Sequence, residues 1–79
     1  MKGATNSLQN EGGQMMNWLI DLRKTKGMTH EDVSNACGIS RQYYSMIEMG
    51  ERSPSVETAK KIAKVLDFDW TKFYDDEEV

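Results

Sequence analysis

The sequence has little of what cross-links a chain or anchors it in a membrane. It contains one cysteine, which excludes an internal disulfide and a zinc site built from cysteine alone. No apolar run approaches the roughly 20 residues of a membrane-spanning helix, and the first residues have no apolar stretch typical of a secretory signal. We therefore expect a cytoplasmic protein without membrane contact. A length of 79 residues predicts one small domain, with no second domain to sense a ligand.

An excess of basic charge is also missing. Ten Lys and Arg residues face 13 Asp and Glu residues, and the net charge of −3 taken alone argues against a nucleic-acid partner. One segment sets this sign, because residues 75–78 (Asp-Asp-Glu-Glu) contribute −4. Residues 14–66 carry 8 basic and 6 acidic groups, a net charge of +2. The charge of the central segment is therefore compatible with DNA.

Composition divides the chain into three segments. Residues 1–13 are small and polar, so we expect a flexible N-terminal segment. Residues 14–74 show helical periodicity without the alternation of a strand, and these residues are expected to form the domain. Residues 75–79 form an acidic tail, which is expected to stay solvated.

Five short helices are predicted within residues 14–74. Residues that cap helices mark their starts, and apolar pairs five residues apart, the spacing of a hydrophobic staple, flank three of these starts. The predicted helices are about 14–26, with Met15, Leu19 and Leu22 on one face; one after Thr29, with Val33, Ala36 and Cys37; Arg41 to Met49, after Ser40; one that starts near Ser53-Pro54-Ser55, with Val56, Ala59, Ile62, Ala63 and Leu66; and one after Asp69. The staple pairs are Met28 with Val33, Ile39 with Tyr44, and Phe68 with Phe73.

The second and third predicted helices have the pattern of a helix-turn-helix. A helix of about eight residues is followed by the short turn Gly38-Ile39-Ser40 and a second helix. A helical wheel places Tyr44, Ile47 and Glu48 on the inward side of the third helix. The opposite side presents Gln42, Ser45, Met46 and Met49, with Arg41 and Tyr43 at its margins. Such hydrogen-bonding and apolar groups can read base edges in a major groove.

Residues 15–74 resemble the Cro/CI-type (lambda-repressor-like, XRE) helix-turn-helix family. The matching stretches are Leu-Ile-Asp-Leu-Arg (19–23), Lys-Gly-Met-Thr-His-Glu-Asp-Val-Ser (26–34), Gly-Ile-Ser-Arg-Gln-Tyr-Tyr-Ser-Met-Ile-Glu-Met-Gly (38–50), Glu-Arg-Ser-Pro-Ser (51–55) and Ala-Lys-Val-Leu (63–66). The resemblance implies a compact, all-α, five-helix domain. It also implies a dimer that places the third helix of each subunit in successive major grooves of a pseudo-palindromic site in double-stranded DNA.

The resemblance also assigns roles to individual residues. The residues implied to contact bases are Arg41, Gln42, Tyr43 and Met46. Those implied to contact phosphate are His30, Ser45, Arg52, Ser53 and Ser55. Arg23 and Glu48 match a structural ion pair of the family. Arg41 could equally bind phosphate, and the assignment of His30 depends on family position alone.

Four aromatic residues crowd the end of the domain: Phe68, Trp70, Phe73 and Tyr74. They could close the core, but four exceed what a core of five short helices needs. We therefore expect part of this group at a homodimer interface, where aromatic anchors concentrate binding energy. The acidic pair Glu31 and Asp32 suits the positive end of a helix dipole. A contact of this pair with RNA polymerase is the lesser alternative.

The predicted function is a sequence-specific DNA-binding transcriptional regulator, a dimeric repressor of phage, plasmid or restriction–modification controller type. The alternative is an antitoxin, or another interaction module, that binds a partner protein and autoregulates its operon. The sequence has no glycine-rich phosphate loop, no nucleophile–base pair and no metal-ligand spacing. We therefore expect neither an enzyme nor a cofactor.

Overall fold

The computed structural model describes residues 15–74, so the segments at 1–13 and 75–79 lie outside the described residues. Between residues 15 and 74 the chain is helical and contains no strand. The elements are the α-helices α1 (Asn17–Thr25), α2 (His30–Cys37), α3 (Arg41–Glu48) and α4 (Val56–Leu66), and a 3₁₀ helix (Trp70–Tyr74). The prediction of an all-α fold is confirmed. Four α-helices replace the five that were predicted.

The fifth predicted α-helix is the 3₁₀ helix. The N–H of Lys72 donates to the carbonyl oxygen of Asp69 at 2.9 Å, which is a bond across three residues. The Asp69 carboxylate accepts the backbone N–H of Thr71 at 3.0 Å and its hydroxyl at 2.9 Å. Asp69 thus closes a tight local turn, and the element is only five residues long.

The predicted caps Thr29 and Ser40 begin α2 and α3, and Ser55 begins α4 within the predicted start near residues 53–55. Thr29 and Asp32 form a reciprocal capping box, in which Thr29 Oγ1 accepts the Asp32 N–H at 3.0 Å and Asp32 Oδ2 accepts the Thr29 N–H at 2.9 Å. Ser40 Oγ accepts the Tyr43 N–H at 3.0 Å, and Ser55 caps α4 in the same way. These side chains satisfy N–H groups that the first turn of a helix leaves free.

Helix α1 begins at Asn17, later than the predicted position near residue 14. Met16 has the non-helical angles φ −90° and ψ 84°, and its N–H donates to the carbonyl oxygen of Glu48 at 2.8 Å. This bond directs the chain away from a helical path before Asn17. Met15 therefore remains 57 % exposed and does not share the buried face of Leu19, contrary to the prediction.

The core lies between all five elements. Its buried members are Leu19, Val33, Cys37, Tyr44, Ile47, Ala59, Ile62, Leu66 and Phe73. Two further predicted core positions are wrong. Val56 is 49 % exposed, because it is the first residue of α4 and precedes the buried stretch that begins at Ala59. Ala36 of α2 is exposed, whereas Ser34 is buried and its hydroxyl donates to the carbonyl oxygen of Glu31 at 3.1 Å.

The aromatic residues of the last element pack largely within their own chain. Phe73 is only 6 % exposed, and its ring centroid lies 5.3 Å from that of Trp18 on α1. Phe68 packs edge-on against both rings, at 5.1 Å from Trp18 and 5.6 Å from Phe73. Trp18 thus gives Phe73 a partner inside the domain, in line with the alternative that part of this aromatic group closes the core, and the dimer assignment of the group stays a prediction. Trp70 is half-buried and Tyr74 is exposed.

Truncation of Ile62 tests the inner face of α4. We expect Ile62→Ala to lower the free energy of unfolding by about 3 kcal/mol, because it leaves a cavity in a small core. Val56→Ala is the matched control on the same helix and should cost less than about 0.5 kcal/mol. Urea unfolding followed by circular dichroism measures both values. Equal losses would contradict this orientation of α4.

Candidate nucleic-acid interface

Helices α2 and α3 are joined by a tight turn that sets the position of α3. Gly38 ends α2 with φ 73°, a left-handed conformation that glycine adopts without steric cost. The N–H groups of Gly38 and Ile39 donate to the carbonyl oxygens of Asn35 and Ser34 at 3.3 and 3.0 Å. Ser40 then caps α3 directly. The arrangement is a helix-turn-helix with α3 as its second helix.

The Glu48 carboxylate, at the end of α3, is the centre of a buried hydrogen-bond cluster. Glu48 is 3 % exposed, and Arg23 Nε donates to its Oε2 at 2.7 Å. Arg23 Nη2 lies 3.4 Å from Oε1, so the pair is bidentate. The Tyr44 hydroxyl donates to Oε2 at 2.6 Å, and His30 Nε2 lies 2.9 Å from Oε1. The predicted partners Arg23 and Glu48 are thus in contact, with two further residues joined to them.

Sequence reasoning missed these two further contacts. The spacing from Tyr44 to Glu48 is four residues along one helix, which brings their side chains together and could have indicated the bond. His30 precedes Glu48 by 18 residues, and no local signal connects them. The position of His30 against Glu48 follows only from the packing of α2 on α3.

The cluster fixes the protonation states of its members. Burial alone raises the pKa of the Glu48 carboxyl group, but hydrogen bonds from Arg23, Tyr44 and His30 outweigh it and hold the pKa below its ordinary value. The hydrogen bond to Glu48 raises the pKa of the Arg23 guanidinium. Burial and the bond to Glu48 raise the pKa of the Tyr44 hydroxyl. At neutral pH the cluster therefore holds an ionised carboxylate, a guanidinium and a neutral phenol.

The same cluster ties α3 to α1 and to the loop before α2. Arg23 Nη1 donates to the carbonyl oxygen of Met28 at 2.9 Å, and the Met28 N–H donates back to the carbonyl oxygen of Arg23 at 3.1 Å. The carbonyl oxygen of Glu48 accepts the Met16 N–H. Side-chain and backbone bonds together hold the end of α3 against the rest of the domain.

The face of α3 opposite this cluster meets solvent. Arg41 and Gln42 are exposed on its first turn. Tyr43, Ser45 and Met46 are half-buried, and Met49 just after the helix is 46 % exposed. All four residues assigned to base contact therefore lie on α3 with part or all of their side chains accessible.

The loop after α3 is attached to that face. The carbonyl oxygen of Met46 accepts the N–H groups of Glu51 and Arg52 at 2.9 and 3.3 Å. The Arg52 guanidinium carbon lies 5.9 Å from the ring centroid of Tyr43, within the range of a cation–π contact. Ser53 is exposed beside it. Arg52, Tyr43 and Met46 thus form one continuous surface.

Two of the residues assigned to phosphate contact have other partners in the structure. His30 uses Nε2 for Glu48, and its side chain is 33 % exposed. Ser55 Oγ accepts the Thr58 N–H at 3.1 Å and donates to Thr58 Oγ1 at 3.1 Å. Ser55 therefore acts as the cap of α4, whereas Arg52 and Ser53 keep their side chains open to solvent.

Other kinds of site are not found between residues 15 and 74. No group of three or more His, Cys, Asp or Glu residues in this range could hold a metal ion, and none of its helices is long and apolar enough to cross a membrane. Cys37 is 4 % exposed, and burial raises the pKa of its thiol. Cys37 thus behaves as a small core residue.

Neutralisation of Glu48 tests the buried cluster. We expect Glu48→Gln to lower the free energy of unfolding at pH 7 by about 3 kcal/mol, because it leaves Arg23 charged and buried without its carboxylate. The exposed pair of Glu57 and Lys61, 3.7 Å apart, provides the control, and Glu57→Gln should cost less than about 1 kcal/mol.

The pH dependence of stability has a defined sign. Because the folded state lowers the pKa of Glu48, this residue stabilises the fold above the ordinary titration range of a glutamate, near pH 4.3. That contribution is lost as the pH falls through the lower value in the folded protein. Urea unfolding between pH 3 and 7 should show this loss in the parent chain and a smaller one in Glu48→Gln. Parallel profiles would contradict the assignment.

Comparison with known proteins agrees with this geometry. The family model HTH_3 (Helix-turn-helix) matches residues 19–73. The chain is 52 % identical over 62 residues to the uncharacterized HTH-type transcriptional regulator YqaF of Bacillus subtilis (strain 168), an alignment that covers 78 % of this chain and 82 % of that protein. It is 39 % identical over 44 residues to the cryptic phage CTXphi transcriptional repressor RstR of Vibrio cholerae, covering 56 % of this chain and 40 % of that protein.

A solved structure shares the arrangement of the helices. The N-terminal DNA-binding domain of SinR from Bacillus subtilis has a TM-score of 0.68 and 25 % identity, over 80 % of this chain and 93 % of that one. The match over residues 19–73 covers most of the domain, including α2, the turn and α3. The chain therefore belongs to the helix-turn-helix family of Cro/CI (XRE) type, whose members are DNA-binding transcriptional regulators and not enzymes.

Proposed function

We propose that this protein is a repressor that binds a pseudo-palindromic operator as a homodimer and reads it through α3 in the major groove. The observation that carries the proposal is that α3 is fixed to the domain by one face and accessible to solvent on the other. Its inner face is held by the Glu48 cluster, and its outer face presents accessible hydrogen-bonding and apolar side chains beside Arg52. The relative RstR is named a transcriptional repressor. That name supports repression, as opposed to activation, as the effect on transcription.

The outer face of α3 supplies the groups that direct readout requires. The Gln42 amide can donate its N–H to adenine N7 and accept the adenine N6 amino group at its carbonyl oxygen, a bidentate interaction worth ~1–3 kcal/mol against a wrong base. Arg41 can form the equivalent pair with guanine. The half-buried Tyr43 and Met46 offer apolar contact to thymine methyl groups. Recognition would therefore combine one or two polar contacts with apolar ones.

Contacts to the phosphates of the DNA backbone would come mainly from the loop after α3. No carboxylate among residues 15–74 lies within 4.0 Å of the Arg52 guanidinium, which rests over Tyr43. Its charge is thus free to meet a phosphate, with Ser53 exposed next to it. Ser45 is half-buried on α3 and would contribute a hydroxyl at the edge of the same surface. Phosphate contacts of this kind set the register of a protein on DNA.

The homodimer would form through the exposed side of the 3₁₀ helix. Tyr74 is 41 % exposed, and its hydroxyl lies 3.3 Å from the carbonyl oxygen of Pro54. Trp70 is half-buried under Lys60, whose Nζ lies 5.1 Å from the ring centroid. Both aromatic side chains keep accessible surface, whereas Phe73 is buried in the core. A dimer of this family would read half-sites about 34–36 Å apart.

Truncation on the outer face of α3 tests base readout. The operator can be obtained by in vitro selection from random duplexes, and we expect selected sites to be pseudo-palindromic. Gln42→Ala should weaken binding to that site about ten-fold, with a much smaller effect on random duplex DNA. Met46→Ala should show the same selectivity. Thr25→Ala on the exposed side of α1 is the control. Equal losses on both DNAs would remove the base-reading role of α3.

Removal of the Arg52 charge tests the proposed contact with DNA phosphates. Arg52→Ala should weaken binding to operator and random DNA alike, and should reduce the slope of log K against log salt by about one, because one fewer counterion is released. Lys24→Ala removes the same charge from the end of α1 and should leave the slope nearly unchanged. Fluorescence anisotropy over a salt series measures both slopes. An unaltered slope in Arg52→Ala would refute the phosphate role.

A further inference from the structure

His30 stands between the buried cluster and the solvent. It is the first residue of α2, its Nε2 lies 2.9 Å from Glu48 Oε1, and its side chain is 33 % exposed. Its second ring nitrogen, Nδ1, has no hydrogen-bond partner among residues 15–74. Because no buried side-chain nitrogen or oxygen in this range lacks a partner, Nδ1 must be accessible to solvent. His30 therefore offers one ring nitrogen to the protein and the other to an external ligand.

The Glu48 carboxylate determines which ring nitrogen carries the proton. An ionised carboxylate can only accept hydrogen bonds. Arg23 and Tyr44 already donate to Oε2, and Arg23 also donates to Oε1, so Glu48 has no proton to give. His30 Nε2 must then be the donor in its 2.9 Å contact with Oε1. In the neutral ring this leaves Nδ1 unprotonated, with a lone pair facing outwards.

We propose that His30 binds a DNA phosphate through Nδ1 as the imidazolium, so that DNA binding by this protein takes up one proton. The inference rests on the proposed function and adds a condition to it. A neutral ring held by Glu48 presents a lone pair, which a phosphate oxygen repels. The imidazolium presents an N–H donor and a positive charge to the same oxygen. Acid therefore strengthens the complex.

In the free protein, some groups around His30 favour a positive charge on its ring and others disfavour it. The Glu48 carboxylate favours the charged ring, whereas the Arg23 guanidinium shares that carboxylate and disfavours a second cation. Tyr44 lies 6.0 Å from the ring between centroids and is neutral. The positive end of the α2 dipole also disfavours a cation at the first helical residue. The carboxylates carried by α2 itself are Glu31 and Asp32, of which Asp32 is bonded to the Thr29 N–H. A phosphate at Nδ1 adds a second anion and favours the charged form.

The pH dependence of DNA affinity tests the proposal. The dissociation constant for the selected operator is measured at constant ionic strength between pH 5.5 and 8.0, on duplexes with 5′-hydroxyl ends so that no terminal phosphate titrates. Histidine is the side chain that ordinarily changes charge in this interval. We expect affinity to fall as the pH rises, by at most ten-fold for each pH unit in which binding takes up a full proton, and by about ten-fold over the whole interval. His30→Gln should bind with a flat profile, because an amide can donate to Glu48 or to phosphate without taking up a proton.

A second measurement does not depend on the variant. His30 is the only histidine in the sequence, so its Cε1 proton can be followed by NMR without ambiguity. On addition of DNA, its titration curve should move to higher pH. An unmoved curve, or the same affinity profile in the parent chain and His30→Gln, would overturn the proposal while leaving specific DNA binding intact. If no operator is bound at any pH, the proposed function itself fails.

Discussion

Glu48 places a negative charge at a point where almost no water can reach it, and the position of α3 depends on how that charge is satisfied. A buried carboxylate without partners would cost several kcal/mol. Here α1 supplies Arg23, the start of α2 supplies His30, and α3 itself supplies Tyr44. These donors are available together only when the three helices have their native arrangement. The cluster therefore penalises arrangements of the helices that leave Glu48 unpaired, and it adds little net stability of its own.

What the sequence could predict follows from how local each interaction is. Thr29, Ser40 and Ser55 begin helices because a side chain bonds to a backbone group three residues away, and that spacing is visible in the sequence. The all-α class follows in the same way from periodicity. The contact of Phe73 with Trp18 could not be predicted in this way, because Trp18 lies on α1 and is brought close only by tertiary packing.

In the candidate interface, too, the local features were predictable and those that depend on tertiary packing were not. Its exposed face was predictable, because the 3.6-residue period of α3 separates Gln42 and Met46 from the buried side. The pairing of Arg23 with Glu48 was accessible only through family resemblance, since the two residues are 25 positions apart. Neither helical periodicity nor family resemblance indicated the hydrogen bond between His30 and Glu48. It arises because the capped start of α2 packs beside the end of α3.

The double use of the Met46 carbonyl oxygen has a consequence for the thermodynamics of association. By accepting the N–H groups of both Glu51 and Arg52, it makes the loop an extension of α3. The Tyr43 ring adds a side-chain contact to the same unit. Groups that would meet bases and groups that would meet phosphates are thus preorganised as one body before any encounter. Little backbone conformational entropy remains to be lost on docking, which suits a chain whose net charge of −3 does not itself attract DNA.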